Sequence, residues 1–346
     1  MDLGAIARSF PACSDGELRI TPIAGGLINA TYRVEVAGQS QQFILQRINT
    51  TVFPNPAAVA RNHNLVNELL AQADYPRQLV RQLKTTTGHD LLLAGPHGAW
   101  RLLNFVPGAH TIHKADCPAT AFEAAKTLSE FLFYLNQAPG AAPEETLPGF
   151  VDFGKRMRDY QVALGAASPA RRQQAAAAIH TVNDHSALPD QWLAWQAAGQ
   201  LPRRIIHGDP KISNVLFDEA NRGLCVIDLD TVMSSTLLYD FGDMARSYTN
   251  NTMEDDAQVA SVFDPAMYQA VKQGFSYHLG GLLAPIEAEN LDYAAQLVIF
   301  IQAVRFLTDY LNGDVYYATH YATQNLDRTQ NQLRLLTELR CFLEAH

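Results

Sequence analysis

The segment His207-Gly208-Asp209-Pro210-Lys211-Ile212-Ser213-Asn214, followed by the acidic cluster Val226-Ile227-Asp228-Leu229-Asp230, constrains this chain more than anything else in it. Asp209 and Asn214 stand five residues apart, and Asp228 lies fourteen beyond Asn214, after a strand-like run from Leu224 to Ile227. A hairpin between the two stretches would deliver the amide of Asn214 and the carboxylate of Asp228 to opposite sides of one ion. Phosphoryl transfer needs that set: one carboxylate to take the acceptor hydroxyl's proton, and oxygen ligands for the magnesium that neutralises the phosphates. The two spacings together are far more specific than either alone.

Asp240-Phe241-Gly242 has the letters of the metal-binding triplet of protein kinases, but it stands twenty-six residues past Asn214, too far for that hairpin. The metal is therefore assigned to Asp228. Asp240 and Asp243 are expected to brace the catalytic loop or to cap a helix starting near Met244.

With 346 residues, 47% of them hydrophobic and 18% charged, the chain is long enough for two lobes with separate cores and too apolar for a disordered or collagenous class. A formal charge of -9 argues against a nucleic-acid binder, which needs a basic face. It does not argue against a nucleotide, which backbone amides, a cation or two and magnesium hold locally. Cys13, Cys117, Cys225 and Cys341 form no Cys-x-x-Cys pair, so neither a zinc site nor a disulfide framework is expected. No signal-peptide core and no membrane-spanning run is evident, and a reducing cytoplasm is the simplest setting.

Along the chain, a strand from Ile20, the strand Thr31–Val36 and a third strand Gln42–Ile48 are predicted, with Gly25-Gly26 between the first two. Two glycines there either let the backbone approach a phosphate, where a Cβ would collide, or serve a plain hairpin. Ala57 to Ala71 has helical spacing and carries Glu68, which is either a partner for the third-strand cation Arg47 or a solvated surface residue. Strands at Leu91–Leu93 and Trp100–Val106 lead to Pro107-Gly108, a hinge at which backbone groups near Asn104 and Phe105 would be available to an adenine ring. From Pro118 the pattern is mostly helical, interrupted only by the catalytic segment. The expected fold is α+β: a small antiparallel-sheet lobe over residues 1–106 and a larger, mostly helical lobe over 107–346. On the helix Asp292–Leu311, closed by Asn312-Gly313, the side chains of Gln302, Arg305 and Asp309 share a face.

A small sheet lobe, a hinge, and a helical lobe with His-Gly-Asp-x-x-x-x-Asn and Ile-Asp-x-Asp resemble the aminoglycoside phosphotransferase and choline kinase superfamily across essentially the whole chain. Gly26-Leu27-Ile28-Asn29-Ala30-Thr31-Tyr32, Ile44 to Asn49, Tyr239-Asp240-Phe241-Gly242-Asp243 and Arg305 to Tyr316 are most similar to the N-acetylhexosamine 1-kinases. The resemblance implies a protein-kinase-like fold and transfer of phosphate from ATP, with magnesium, to the C1 hydroxyl of N-acetylglucosamine or N-acetylgalactosamine. It implies Asp209 as base, Asn214 and Asp228 as metal ligands, and Asp230 either assisting the metal or purely structural. Lys211 would steady the transferred phosphate or form a surface ion pair. Where protein kinases place a third-strand lysine this chain has Gln46 and Arg47, which point to opposite faces; Arg47 is favoured on charge. Arg305 and Tyr316, with Asp309 as acceptor and Tyr317 in reserve, would meet the sugar. The partners implied are ATP and a small sugar, with no nucleic acid and no membrane. The alternatives are a kinase for choline, homoserine or an aminoglycoside, and a nucleotide-binding scaffold without turnover.

Overall fold

Residues 2–23, 28–137, 142–256 and 261–345 are described by the structure, a computed structural model. In chain order, helix α1 (Leu3–Arg8) precedes strands β1 (Leu18–Pro22), β2 (Ala30–Val36) and β3 (Gln42–Ile48), and helix α2 (Pro56–Gln72) follows. Strands β4 (Gln82–Leu83), β5 (Leu92–Leu93), β6 (Ala99–Asn104) and β7 (His110–Thr111) come next. Helices α3 (Pro118–Leu135), α4 (Phe153–Ala166), α5 (Pro169–Gln174), α6 (Ala176–Asp184) and α7 (Asp190–Ala197) then lead to strand β8 (Arg204–Ile206). After β9 (Val215–Phe217), β10 (Gly223–Val226) and β11 (Met233–Ser235) the chain ends in α8 (Leu237–Thr249), α9 (Pro265–Leu279), α10 (Pro285–Glu289), α11 (Leu291–Asn312) and α12 (Gln324–Glu344).

Two units emerge, and their boundary is not a single cut near residue 106. The first is Met1–Ile112 together with Glu130–Pro148 and Ser213–Ser234; the second is His113–Ser129, Gly149–Ile212 and Ser235–His346. The Asn214-to-Asp228 hairpin thus belongs with the sheet rather than with the helical half.

In the first unit an antiparallel sheet runs in the order β1-β2-β3-β6-β4, with β5 also paired to β6. Alternation along β2 and β3 buries Val34, Val36, Phe43 and Leu45, which pack with Trp100 and Leu102 of β6 and with Ile6, Ala7 and Phe10 around α1. Fully burying one such large side chain contributes roughly 1.5–3 kcal/mol. The register sets Gln46 of β3 directly opposite Arg101 of β6. A second small sheet, in the order β10-β9-β7, pairs Val226 with Val215.

The second unit is helical. Its longest apolar helix, α11, packs against α4, α8 and α12 and ends at Gly313, whose φ of 98° is the left-handed C-cap expected of that glycine. By length and composition α11 passes for a membrane span, with a mean hydropathy of 1.3, yet two thirds of that stretch is buried within the protein. Helix α8 starts seven residues before Met244: Thr236 caps it by accepting a bond from the Leu238 amide. Asp240 and Asp243 therefore sit inside the helix and cap nothing. Gly242 is where α8 meets α11, since a Cβ there would lie 2.5 Å from Val298 Cγ2 and 2.6 Å from the Ala294 carbonyl oxygen. All four cysteines are free thiols.

Candidate active site

In the first unit β9 and β10 form a hairpin between Asn214 and Asp228. The Ile227 amide donates to the Asn214 carbonyl at 2.9 Å, so the residues at the two ends of the hairpin are neighbours. Asn214 is buried and Asp228 is exposed. Asp228 has φ 62° and ψ 60°, a left-handed conformation that Asp tolerates better than most side chains, and it opens the short 3-10 turn Leu229–Thr231. Among the described residues no group of three or more His, Cys, Asp or Glu could hold an ion unaided. An amide oxygen and one carboxylate suit magnesium, which keeps waters and phosphate oxygens in its shell rather than filling it with protein.

Asp230 is not placed to join them. It is 2% exposed; Oδ2 accepts from Asn29 Nδ2 at 2.7 Å, and Oδ1 stands 2.6 Å from Arg101 Nη2. Its backbone carbonyl accepts from Thr146 Oγ1 at 2.7 Å. The metal role considered for Asp230 therefore gives way to the structural one: its carboxylate is already committed inside the protein.

The cation facing that carboxylate is Arg101, which sequence reasoning missed. Gln46 Oε1 accepts from Arg101 Nε and Nη2 at 2.8 and 2.6 Å, whereas Arg47 lies on the exposed face of β3. Its Nε would be 2.9 Å from a Cβ at Gly98, across which it lies. Arg47 is thus turned away from Asp230. The signal for Arg101 was available: an arginine within the run Ala99 to Leu103, all buried, has to be paired.

Glu68 is likewise exposed. The polar side chains that α2 buries are Asn62, His63 and Asn67. His63 Nε2 meets the Val80 carbonyl at 2.7 Å, which makes it the protonated nitrogen of a neutral ring. Burial, then the charge of Arg101, pulls its pKa down to about 4. Of the backbone groups near Asn104 and Phe105 expected to be available to an adenine ring, the two amides donate to the carbonyls of Arg81 and Gln42, both at 3.1 Å. Neither N–H is left for a base. Gly25 and Gly26 lie outside the described residues.

In the second unit β8 delivers His207-Gly208-Asp209, and Gly208 takes a φ of 81° that favours glycine. Asp240 braces this loop, as one of its two expected roles had it, by accepting from the His207 amide at 2.7 Å and the Gly208 amide at 2.9 Å. Burial pushes the Asp240 carboxyl up to about 7, against the pull of those two bonds. His207 is fully buried, and its Nδ1 accepts from the Asp209 amide at 3.3 Å, a loop-fixing role rather than that of a base. Tyr248 donates to the Pro210 carbonyl at 2.9 Å. The half-buried Asp209 carboxylate is 2.7 Å from Lys211 Nζ.

The sugar-facing residues divide. Asp309 is unavailable to a ligand: after Gly313, Asp314 at φ 62° turns the chain back over the helix end. Oδ1 of Asp309 accepts from the Val315 and Tyr316 amides at 3.0 and 2.8 Å. Oδ2 accepts from the Tyr317 amide and Asn325 Nδ2, both at 2.9 Å. It neither pairs with Arg305 nor offers an acceptor. Arg305 instead donates to Gln302 Oε1 at 2.8 Å and lies over the Phe150 and Tyr317 rings, 5.4 and 5.7 Å away. Tyr317 is half-buried against Phe306, its OH 3.5 Å from Gln302 Nε2, while Tyr316 is 63% exposed beside it.

The family model described as phosphotransferase enzyme family matches residues 19–272. The chain is similar in structure to an aminoglycoside phosphotransferase from Alicyclobacillus acidocaldarius, with a TM-score of 0.63 at 15% identity, covering 96% of this chain and 95% of that one. It is similar to a microcompartment-associated aminopropanol kinase, with a TM-score of 0.64 at 16% identity over 99% and 97% of the two chains. A spectinomycin phosphotransferase determined with ADP and spectinomycin gives 0.59 at 11% identity over 98% and 97%. These likenesses fix the fold as kinase-like.

Proposed function

This chain belongs to the phosphotransferase enzyme family, and from that premise we propose that it moves the γ-phosphoryl group of ATP to the anomeric hydroxyl of an N-acetylated hexosamine. The observation that carries the reading is the catalytic loop: Asp209 follows a buried histidine and a left-handed glycine, both tied by backbone bonds to Asp240. Such bracing fixes the carboxylate's position, which positioning-dominated phosphoryl transfer demands.

In this reading Asp209 orients the C1 hydroxyl and accepts its proton late in the reaction. An anomeric hydroxyl is more acidic than a simple alcohol, so a carboxylate of ordinary basicity serves. Lys211, ion-paired to Asp209 at 2.7 Å, would exchange that partner for the developing charge on the transferred group. Asn214 and Asp228 would hold magnesium, which supplies charge neutralisation on the phosphates when bound. The spectinomycin phosphotransferase determined with ADP supports an adenine nucleotide as donor.

The likeness to an aminopropanol kinase favours a second reading, an amino-alcohol acceptor. A cationic acceptor wants carboxylates or bare aromatic faces, whereas Arg305 stands over the two rings nearest to it. Purified protein with ATP and a panel of N-acetylhexosamines, amino alcohols and aminoglycosides separates the two, and turnover of choline or aminopropanol with no sugar turnover would reject our choice. Asp209→Asn is expected to lower kcat by about 10²–10⁴-fold while ATP affinity holds. A loss smaller than about tenfold would remove Asp209 as base.

A further inference from the structure

Helix α4 carries a cation that the reading above leaves without a task. Arg156 donates from Nη2 to the Phe150 carbonyl at a long 3.4 Å, and its Nε is buried with no hydrogen-bond partner. Arg305, reaching from α11, stands over the ring of the same Phe150 and has one hydrogen bond, to a neutral amide. Two guanidinium groups thus converge on one phenylalanine. Neither makes an ion pair with any described carboxylate. A third arginine of this unit behaves in the ordinary way, since Arg246 contacts Asp243 and Glu254, each at 2.7 Å.

Both arginines are partly buried, and like charges drawn out of water without counter-ions are costly. Arg156 registers that cost: burial first, and then the charge of Arg305, lower its hold on its proton. Tyrosines 239, 316 and 317 interact electrostatically with both arginines. Tyr239 also interacts with Asp240, whose carboxylate is hydrogen-bonded to the loop that bears Asp209. The arginine pair therefore lies in the unit that bears the proposed base, among aromatic rings that suit the faces of a sugar.

We propose that Arg156 is a second acceptor-binding residue, and that with Arg305 it selects acceptors by charge. The pair takes an acceptor offering a strongly basic carbonyl oxygen, such as the acetamido group of an N-acetylhexosamine, and turns away acceptors that carry a positive charge. This rests on the reading of the site as that of a sugar kinase. Beyond the long Nη2 bond to the Phe150 carbonyl, the guanidinium of Arg156 keeps N–H groups uncommitted on one planar fork, a geometry that matches carbonyl lone pairs and that a lysine cannot reproduce.

The test is steady-state kinetics of Arg156→Gln and Arg156→Lys in the full chain, with ATP and N-acetylglucosamine, N-acetylgalactosamine, glucosamine and choline as acceptors. Arg156→Gln is expected to raise the KM for the N-acetylated sugars about tenfold, the worth of one charge-assisted hydrogen bond. The KM for ATP stays put and kcat moves far less than the sugar KM, while protonated glucosamine gains ground relative to the N-acetylated sugar. Arg156→Lys keeps the charge filter and loses part of the affinity. An unchanged acceptor KM in a variant that melts like the parent overturns the proposal. If Arg156→Gln does not fold, the KM of Arg156→Lys decides in the same way. Should the parent phosphorylate another acceptor and no hexosamine, the sugar reading fails, and the effect of Arg156→Gln on the KM of that other acceptor still decides the role of Arg156.

Discussion

Arginines drawn partly or wholly out of water occur in both units, and they are treated differently. In the first, Arg101 is paired with Asp230 and held by Gln46; one nitrogen, Nη1, lacks a hydrogen bond, but the charge is neutralised inside the protein. In the second, Arg156 and Arg305 both contact Phe150, and neither is ion-paired with a described carboxylate. One charge centre is finished by the fold and the other is left for a ligand to finish. The difference teaches that burial of a charge is not itself a mark of function. What distinguishes a receptive site is whether the partner is already present.

The largest expected effect strikes the finished centre. Arg101→Met leaves Asp230 buried and uncompensated, and urea unfolding should show a loss of about 3–5 kcal/mol, most of it recovered in Arg101→Met with Asp230→Leu. A loss below about 1 kcal/mol would mean that the pair is not the keystone we describe. Next comes His63. Its folded pKa of about 4 lies below the unfolded value near 6.5, so the unfolded chain takes up a proton in that window and the folded chain does not. Stability is therefore whole above pH 6.5 and declines as pH falls towards 4, by about 3 kcal/mol in all. His63→Gln should flatten that part of the profile, and an unchanged slope would place the titration elsewhere. A smaller cost, about 2 kcal/mol, is expected for Asp309→Ala, which strands three backbone amides. Its sugar KM should rise only through displacement of Tyr317, and a specific loss of sugar binding with full stability would return Asp309 to the pocket. The smallest effect sharpens the comparison most. Arg156→Met should shift stability by less than about 0.5 kcal/mol, or raise it, because its one bond, to the Phe150 carbonyl, is long and no carboxylate loses a partner. If it costs as much as Arg101→Met, the two centres are alike and the contrast is lost.

How much of this the sequence disclosed depended on whether position along the chain or position in space carried the information. The loop that bears Asp209 and the hairpin between Asn214 and Asp228 were readable because they are local objects with fixed separations. So was the bracing role offered for Asp240, once its spacing excluded a metal. The three strands, their apolar alternation and the C-cap at Gly313 followed from period and turn chemistry. Partners across the sheet were not readable in the same way. Which of Gln46 and Arg47 shares a sheet face with Arg101 is decided by a register that pairs Gln46 with Arg101. Asp309 looked available because helical spacing put it near Arg305; the left-handed turn at Asp314 that folds the following amides onto its carboxylate is a tertiary event. Glu68 was chosen by analogy of place, while the polar residues that α2 buries sit one and five to six positions earlier.

Gly242 has a further consequence. A point of close approach between α8 and α11 falls two residues from the carboxylate that braces the catalytic loop. A methyl group there would work as a wedge, prising apart a helix pair without touching any reacting atom. The brace on the loop that bears Asp209 thus stands on a helix whose fit against its neighbour leaves room at Gly242 for a lone hydrogen atom.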